Sequence, residues 1–118
     1  MPMLDWNTYR DQVAGAVGRL GHLTPDAVRG YSMINGAGRK LGRFDEKTRE
    51  LIALAVAVSL RCDGCITVHA EAARKNGATE EELAEALSVA VSVNAGAALI
   101  YSTRTLEAFH AAEEAAVA

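Results

Sequence analysis

The sequence predicts an all-α protein, a compact bundle of about six helices in a single domain that spans residues 1–118. Half of the residues are apolar but only 5% are aromatic, and alanine is abundant. This mixture favours closely packed helices over a β-sandwich. Apolar residues recur at helical spacing, and no alternating pattern is long enough to indicate a strand. A chain of this length forms one domain with a modest core, and no internal repeat or linker divides it.

Composition also limits the expected partners and compartment. The net charge of −3 and the pI near 5.6 leave no basic cluster for nucleic acid. The first twenty residues lack the apolar segment of a signal peptide. Apolar runs such as 51–60 fall short of the roughly 20 residues that span a bilayer. Two cysteines three residues apart cannot brace a fold as disulfides do in secreted mini-domains. We therefore expect a cytoplasmic protein without a nucleic-acid or membrane partner.

Start and stop signals place two helices in the first third of the chain. The first helix lies within residues 1–20, is ended by Gly21, and has an apolar face made of Trp6, Tyr9, Val13, Val17 and Leu20. The second begins with Thr24 as N-cap and Pro25 at its first position. This helix is expected to end at residues 35–38, and the glycines within 36–42 predict a loop.

The third helix is expected from about residue 46 to residue 60, with Asp45 as its cap. Residues 51–60 are apolar on every side apart from Ser59. A helix that is apolar all round must be buried, either in the core or in a contact between subunits.

The remaining helices follow the two cysteines. A fourth helix runs from the cysteine motif to Lys75 and is closed by residues 76–77. A capping box at residues 79–82 opens a fifth, whose inward-facing residues are Leu83, Leu87, Ala90 and Val91. Residues 94–96 mark a break or kink before a last helix from about residue 97. So many apolar faces in a small chain predict a homo-oligomer with helical interfaces.

The candidate chemistry is concentrated in a C-x-x-C-x-x-x-H motif made of Cys62, Cys65 and His69. A C-x-x-C pair in an intracellular protein indicates redox or metal chemistry. If the segment is helical, the three side chains fall within roughly 60° of one face. The start of a helix also favours thiolate over thiol, because its unpaired N–H groups and dipole are positive.

These residues support a thiol-based reduction of peroxides. A thiolate that attacks an O–O bond becomes a sulfenic acid, which a neighbouring thiol converts to a disulfide. Cys65 is the expected attacking thiol because His69, one turn later, can take its proton. Cys62 is then the resolving thiol, although the reverse assignment stays open. Glu50, on the preceding helix, is expected to orient His69.

Other interpretations of the same residues stay open. The cysteines and His69 could be inert structural residues, or they could bind zinc together with Glu50, although the chain has no second pair of ligands. Glu50 alone could be a solvated acid near a helix start. Asp63 is expected to help cap the cysteine helix. The other side chains of interest are placed as follows: His22 and His110 at the surface, Tyr101 in the core or an interface.

The run formed by Glu50, Cys62, Cys65 and His69 resembles the signature of the alkylhydroperoxidase D-like / carboxymuconolactone decarboxylase superfamily. The similarity covers about residues 44–109. It implies an all-α fold with the redox motif at a helix N-terminus, and obligate oligomers that are commonly trimers or hexamers. In the redox-active members it implies reduction of hydroperoxides by thiol reductants. The decarboxylase members act on a lactone and generally lack the cysteine pair.

Both cysteines therefore place the chain with the peroxidases. The expected activity is that of an antioxidant alkylhydroperoxide reductase that uses a dihydrolipoyl or thioredoxin-like donor, with no bound cofactor and no metal. A lactone enzyme with His69 and Glu50 as acid and base, and a redox-sensing oligomer, are the alternatives. One difference from the resemblance concerns Gly64, where the best-known peroxidase members carry a histidine. Part of the implied proton relay is therefore absent.

Overall fold

The computed structural model describes residues 2–117, and within them all regular secondary structure is helical, without a β-strand. It forms five α-helices, with a 3-10 turn at Gly38–Leu41 after the second: α1 (Trp6–Leu23), α2 (Pro25–Ala37), α3 (Glu46–Leu60), α4 (Asp63–Lys75) and α5 (Glu80–Val117). The all-α prediction is confirmed. The predicted number of about six is replaced by five, because the last two predicted helices are one.

The predicted start signals of α3 and α5 are confirmed by their hydrogen bonds. Asp45 accepts a 2.8 Å bond from the N–H of Thr48 at the start of α3. At the start of α5 the N–H of Glu82 donates to the hydroxyl of Thr79, while the N–H of Thr79 donates to the carboxylate of Glu82. This reciprocal pair is a capping box. Pro25 opens α2 as predicted, but the hydroxyl of Thr24 makes no capping bond.

Glycine proved a poor predictor of helix ends in this chain. Helix α1 continues through Gly21 to Leu23, and α2 continues through Gly36 to Ala37. A glycine inside a helix costs only about 1 kcal/mol relative to alanine, so tertiary packing can override it. At Gly21 the helix packs on α2, and a Cβ there would lie at an ordinary contact distance, 3.5 Å, from Val28.

The predicted break at residues 94–96 is also wrong, and α5 passes through it without interruption. The amide of Asn94 donates to the carbonyl of Ala90 one turn earlier and to the hydroxyl of Ser59 on α3. Asn94 is therefore engaged by the helix and by its neighbour. By contrast, α4 ends as predicted, with Gly77 in the left-handed conformation at φ 82°.

Helix α3 lies at the centre of the packing, between α4 and α5. Helix α1 packs on α4, and within the described residues α2 contacts only α1 and the 3-10 turn. The hydroxyl of Thr67, buried on α4, donates to the carbonyl of Trp6 and so joins α4 to the start of α1. The buried apolar residues of this core are few and mostly small: Leu54, Ala57, Ala73 and Ala90.

The single chain is more open than the predicted compact bundle. Its radius of gyration is 19.9 Å, against about 13 Å for a folded chain of this length. Its accessible surface is 9316 Å², against about 6,200 Å² for a folded monomer of its mass. Within one chain α3 is not buried on all sides, because Ile52 is 47% exposed and Val56 and Leu60 are more than half exposed. Burial of these residues in a contact between subunits stays a prediction. Val91, predicted to face inward, is also exposed.

The second half of α5 extends away from the rest of the chain. From residue 97 every described residue is exposed. Tyr101 is among them, with its ring beneath the guanidinium of Arg104, so it lies outside the core of this chain, and its alternative place in an interface stays a prediction. His22 and His110 are exposed as predicted. By length and apolar composition alone α5 could cross a membrane. Core helices of soluble proteins meet the same criterion, but they are mostly buried, whereas only 6% of the most apolar window of α5 is buried within the chain.

We predict that Glu82 contributes to stability in a pH-dependent way. Its hydrogen bond with Lys47, together with that from the N–H of Thr79, holds the pKa of Glu82 below its ordinary value. Such a group stabilises the fold above the pKa it has in the unfolded chain, and this contribution is lost as the pH falls through its folded pKa. Glu82→Gln should therefore lower the thermal midpoint at pH 7, and the difference from the wild type should shrink below about pH 4.5.

Glu81→Gln is the matched control, because Glu81 is an exposed neighbour in the same turn. Equal losses for the two variants at pH 7 would contradict a specific role for Glu82.

Candidate active site

The junction between α3 and α4 fixes the position of the cysteine motif. Helix α3 ends at Leu60 and is capped by Arg61, whose φ of 54° is left-handed, a conformation that costs a non-glycine residue about 1–2 kcal/mol. The N–H of Cys62 then donates to the carbonyl of Ala57, and the carbonyl of Cys62 accepts from Ile66. Both backbone groups of Cys62 are thus held, one by each helix. The motif begins α4, as the sequence predicted.

Cys62 and Cys65 are joined by a disulfide, with their Cα atoms 5.3 Å apart. The sulfur of Cys62 also accepts a 3.2 Å bond from the N–H of Cys65, which makes Cys62 the N-cap of α4. The predicted capping role of Asp63 is therefore wrong, and its side chain is exposed at the first helical position. Both sulfurs lie at the positive end of the helix dipole, which favours negative charge on sulfur.

His69 and Glu50 meet across the α3–α4 contact. Nδ1 of His69 lies 2.6 Å from Oε2 of Glu50, whose side chain is buried at 4% exposure. The interpretation of Glu50 as a solvated acid is therefore wrong. With Nδ1 donating to the carboxylate, Nε2 is the ring nitrogen that can accept a proton. His69 follows Cys65 by one turn on the same helical face, so the Glu50–His69 pair and the disulfide lie on one side of α4.

Arg39 is a site residue that the sequence analysis missed. It lies on the 3-10 turn, with Nη2 3.7 Å from Oε1 of Glu50. Its Nε lies 3.1 and 3.2 Å from the two carboxylate oxygens of Glu46. The guanidinium of Arg49, at the end of a long side chain on α3, reaches this turn at Gly38, where a Cβ would lie 2.7 Å from Nη1. The glycine pattern of this segment predicts only a loop, and it gives no signal that Arg39 contacts Glu50.

Gly64 faces α1. A Cβ at this position would lie 3.7–3.8 Å from the methyl groups of Val13. A methyl group fits at that distance, whereas a longer side chain has to displace Val13 or turn away from it. The place where a histidine is expected from the superfamily resemblance is therefore covered by α1.

An open apolar groove lies away from this chemistry. It has a volume of about 470 Å³ between α3 and α5 and is lined by Thr48, Leu51, Ile52, Ala55, Val56, Ser59, Leu60, Ala86, Val89, Ala90 and Val93. We call it the α3–α5 groove. At about 100° per residue, its α3 residues are on the opposite side of that helix from Glu50, Leu54 and Ala57.

The zinc interpretation receives no support from the geometry. Among residues 2–117, no three or more histidine, cysteine or acidic side chains are arranged as ligands of one metal ion. The two sulfurs are bonded to each other, and the imidazole is directed at Glu50.

Comparison with known proteins identifies the family. Residues 25–114 match the sequence profile of the carboxymuconolactone decarboxylase family. The chain belongs to this family. The family includes enzymes, among them decarboxylases and peroxidase-like proteins.

Its relatives share most of its length. An uncharacterized protein of Haemophilus influenzae is 48% identical over 105 residues, which cover 89% of this chain and 93% of that protein. "Uncharacterized protein 4 in cox locus" of Paracoccus denitrificans is 38% identical over 92 residues, 78% of this chain and 80% of that protein. The crystal structure of an apo carboxymuconolactone decarboxylase family protein from Legionella pneumophila is similar at a TM-score of 0.70 and 36% identity, covering 89% and 94% of the two chains. A crystal structure of a protein from Methanobacterium thermoautotrophicum is similar at a TM-score of 0.67 and 35% identity, covering 75% of this chain and 97% of that chain.

We predict that position 64 tolerates alanine but not histidine. Gly64→Ala should keep or raise the free energy of unfolding, by up to about 1 kcal/mol, because alanine restricts the unfolded chain and its methyl group fits. Gly64→His should lower it by about 1–3 kcal/mol, the usual penalty for overpacking. Urea unfolding of both variants in the disulfide form measures the difference. Equal stability of the two variants would show that α1 does not cover this position.

Proposed function

We propose that the protein is a thiol-dependent hydroperoxide reductase that cycles Cys62 and Cys65 between dithiol and disulfide. One observation carries the proposal: the disulfide lies at the start of α4, one turn before a histidine held by a buried glutamate. In the net reaction the two thiols and a hydroperoxide, ROOH, give the disulfide, an alcohol and water. Two electrons pass from the thiols to the O–O bond.

Each residue has a role in this scheme. The Cys65 thiolate attacks the distal oxygen, the O–O bond breaks, and the alkoxide leaves as the alcohol after taking a proton. His69 accepts the thiol proton and can return it to the leaving oxygen, while Glu50 orients the imidazole. The Cys62 thiol then displaces water from the sulfenic acid to form the disulfide.

The cycle closes when an external dithiol reduces the disulfide. A dihydrolipoyl group or a thioredoxin-like protein supplies the two electrons, and the protein itself needs no organic cofactor. The N–H of Cys65 supports the thiolate released at Cys62 when the donor opens the bond. A reducing compartment such as the cytoplasm provides such donors.

The two other functions use fewer of these features. A lactone enzyme would use the pair formed by Glu50 and His69 but would leave both cysteines without a chemical role. A redox-sensing oligomer would use the disulfide but not the imidazole beside it. The peroxidase scheme uses all four residues and is the one we favour.

We also propose that the protein is a homo-oligomer, a trimer or hexamer by its superfamily resemblance. The chain exposes about 3,000 Å² more than a folded monomer of its mass. An excess of this size matches the surface area that obligate subunits bury against one another.

The second half of α5 is the segment that we expect a neighbouring copy to cover. It carries exposed Leu99, Leu106 and Phe109 on a helix that leaves its own core. The α3–α5 groove is a complementary apolar surface, and a straight α5 cannot fold back to fill it. We therefore expect the α5 of one copy to pack on the groove of another.

The redox proposal predicts a defined reaction with peroxide. Reduced protein treated with cumene hydroperoxide should lose both free thiols and two mass units, because a disulfide forms. Cys62→Ser should instead form a sulfenic acid at Cys65 that dimedone traps, whereas Cys65→Ser should consume little peroxide. Thiol counting and intact-mass spectrometry measure these outcomes.

Contrary outcomes of this experiment are equally specific. Wild-type thiols that stay reduced at millimolar peroxide would rule out the peroxidase. Trapping in Cys65→Ser rather than in Cys62→Ser would reverse the attacking and resolving roles. His110→Gln is a control for loss of an imidazole, and it should react like the wild type because His110 is exposed near the chain end.

The assembly proposal predicts that charge on the apolar stripe of α5 dissociates the oligomer. Leu106→Glu with Phe109→Glu should reduce the mass measured by light scattering, because carboxylates resist burial in an apolar contact. Ala108→Glu with Ala111→Glu adds the same charge on the opposite side of the helix and should leave the mass unchanged. A monomeric wild type at micromolar concentration, or wild-type protein that floats with phosphatidylcholine vesicles, would contradict the proposal.

A further inference from the structure

Arg39 connects the exposed surface to the buried carboxylate of the site. Glu50 is almost fully buried, and its two oxygens have different neighbours: His69 lies at Oε2 and Arg39 at Oε1. Arg39 is itself fixed by the two bonds from its Nε to Glu46. The guanidinium therefore bridges two carboxylates one turn apart on α3.

From this geometry we propose that Arg39 is a positioning residue for the redox site, which holds Glu50 toward His69 and supplies the positive charge that balances the buried carboxylate. The proposal rests on the thiol chemistry proposed above. It adds to that chemistry a residue from outside α3 and α4.

The charges around Glu50 favour this role. They come from His69 on α4, from Arg39 on the 3-10 turn, and from Glu46 and Arg49 on α3 itself. Two glutamates at i and i+4 repel each other, and a buried carboxylate needs a paired cation to offset its lost hydration. Arg49 lies 3.7 Å from Glu46, and Arg39 is the arginine that contacts Glu50.

The effect of Arg39 should reach the thiol through His69. An anionic Glu50 that is held in place stabilises an imidazolium, and an imidazolium one turn away stabilises the Cys65 thiolate. Without Arg39 the carboxylate loses its cation and is no longer held at Oε1. The thiolate of the reduced protein should then form at higher pH.

The test measures the rate of iodoacetamide alkylation of Cys65 against pH in Cys62→Ser protein, where Cys65 is the only thiol. In this background Arg39→Gln should move the midpoint of the profile upward by about 0.5–1 pH unit. A charge in direct contact shifts a pKa by about 1–3 units, and an effect that acts through His69 should be no larger than the lower end of that range. Well below the midpoint, the rate should fall about three- to tenfold. Arg39→Lys, which keeps the charge, should restore at least half of the shift. Arg43→Gln removes the same charge from an exposed site nearby and should have no effect.

Two outcomes would overturn the proposal. One is a midpoint in Arg39→Gln equal to that of the parent, and the other is an equal shift in Arg43→Gln. Arg39 is partly exposed, so we expect the variants to fold, and circular dichroism verifies this before alkylation. The readout does not involve peroxide, so a wild-type protein that failed to reduce hydroperoxides would refute the proposed activity and leave this test intact.

Discussion

The hydrogen bond between Glu50 and His69 is the interaction on which the site depends. A carboxylate at 4% exposure requires partners, because removal of one partner from a buried ion pair typically costs about 3–5 kcal/mol. The bond spans the contact between α3 and α4, so it fixes the rotation of each helix about its axis. Once His69 faces Glu50, the stripe of α4 that contains the two cysteines faces the same way. This polar contact thus relates the orientation of the two helices to the position of the imidazole on the side of α4 that carries the sulfurs.

Local chemistry explains which parts of this arrangement could be predicted from the sequence. The starts of α3 and α5 were predicted because Asp45 and the pair Thr79–Glu82 bond to backbone only a few residues away. The C-x-x-C-x-x-x-H motif was interpretable because its members lie on one helix. The contact of Arg39 with Glu50 joins two segments whose relative position depends on tertiary packing. Sequence spacing carries no information about such a contact.

Burial was the least predictable property, and the reason is physical. The apolar pattern of α3 reflects all of the surface that the helix buries, whether that surface is covered by the same chain or by another copy. Within one chain only the face with Leu54 and Ala57 is covered, while Ile52 and Val56 line an open groove. The same reasoning applies to α5, whose second half carries a stripe of exposed apolar residues. A pattern that predicts burial is consistent with an open subunit if the missing contacts come from other copies, which is the assembly proposed above.

The backbone geometry at the disulfide helps to distinguish a catalytic disulfide from a redox-sensing one. The Cα atoms of Cys62 and Cys65 are 5.3 Å apart, close to the roughly 5 Å that separates residues i and i+3 of any α-helix. The backbone that holds the disulfide therefore also fits two thiols, and both backbone groups of Cys62 stay bonded to the ends of α3 and α4. A sensor requires two redox states with different structures, whereas a catalyst benefits from a site that changes little between them. The helical spacing of the cysteines thus favours an enzyme that cycles its disulfide over a switch that changes an interface.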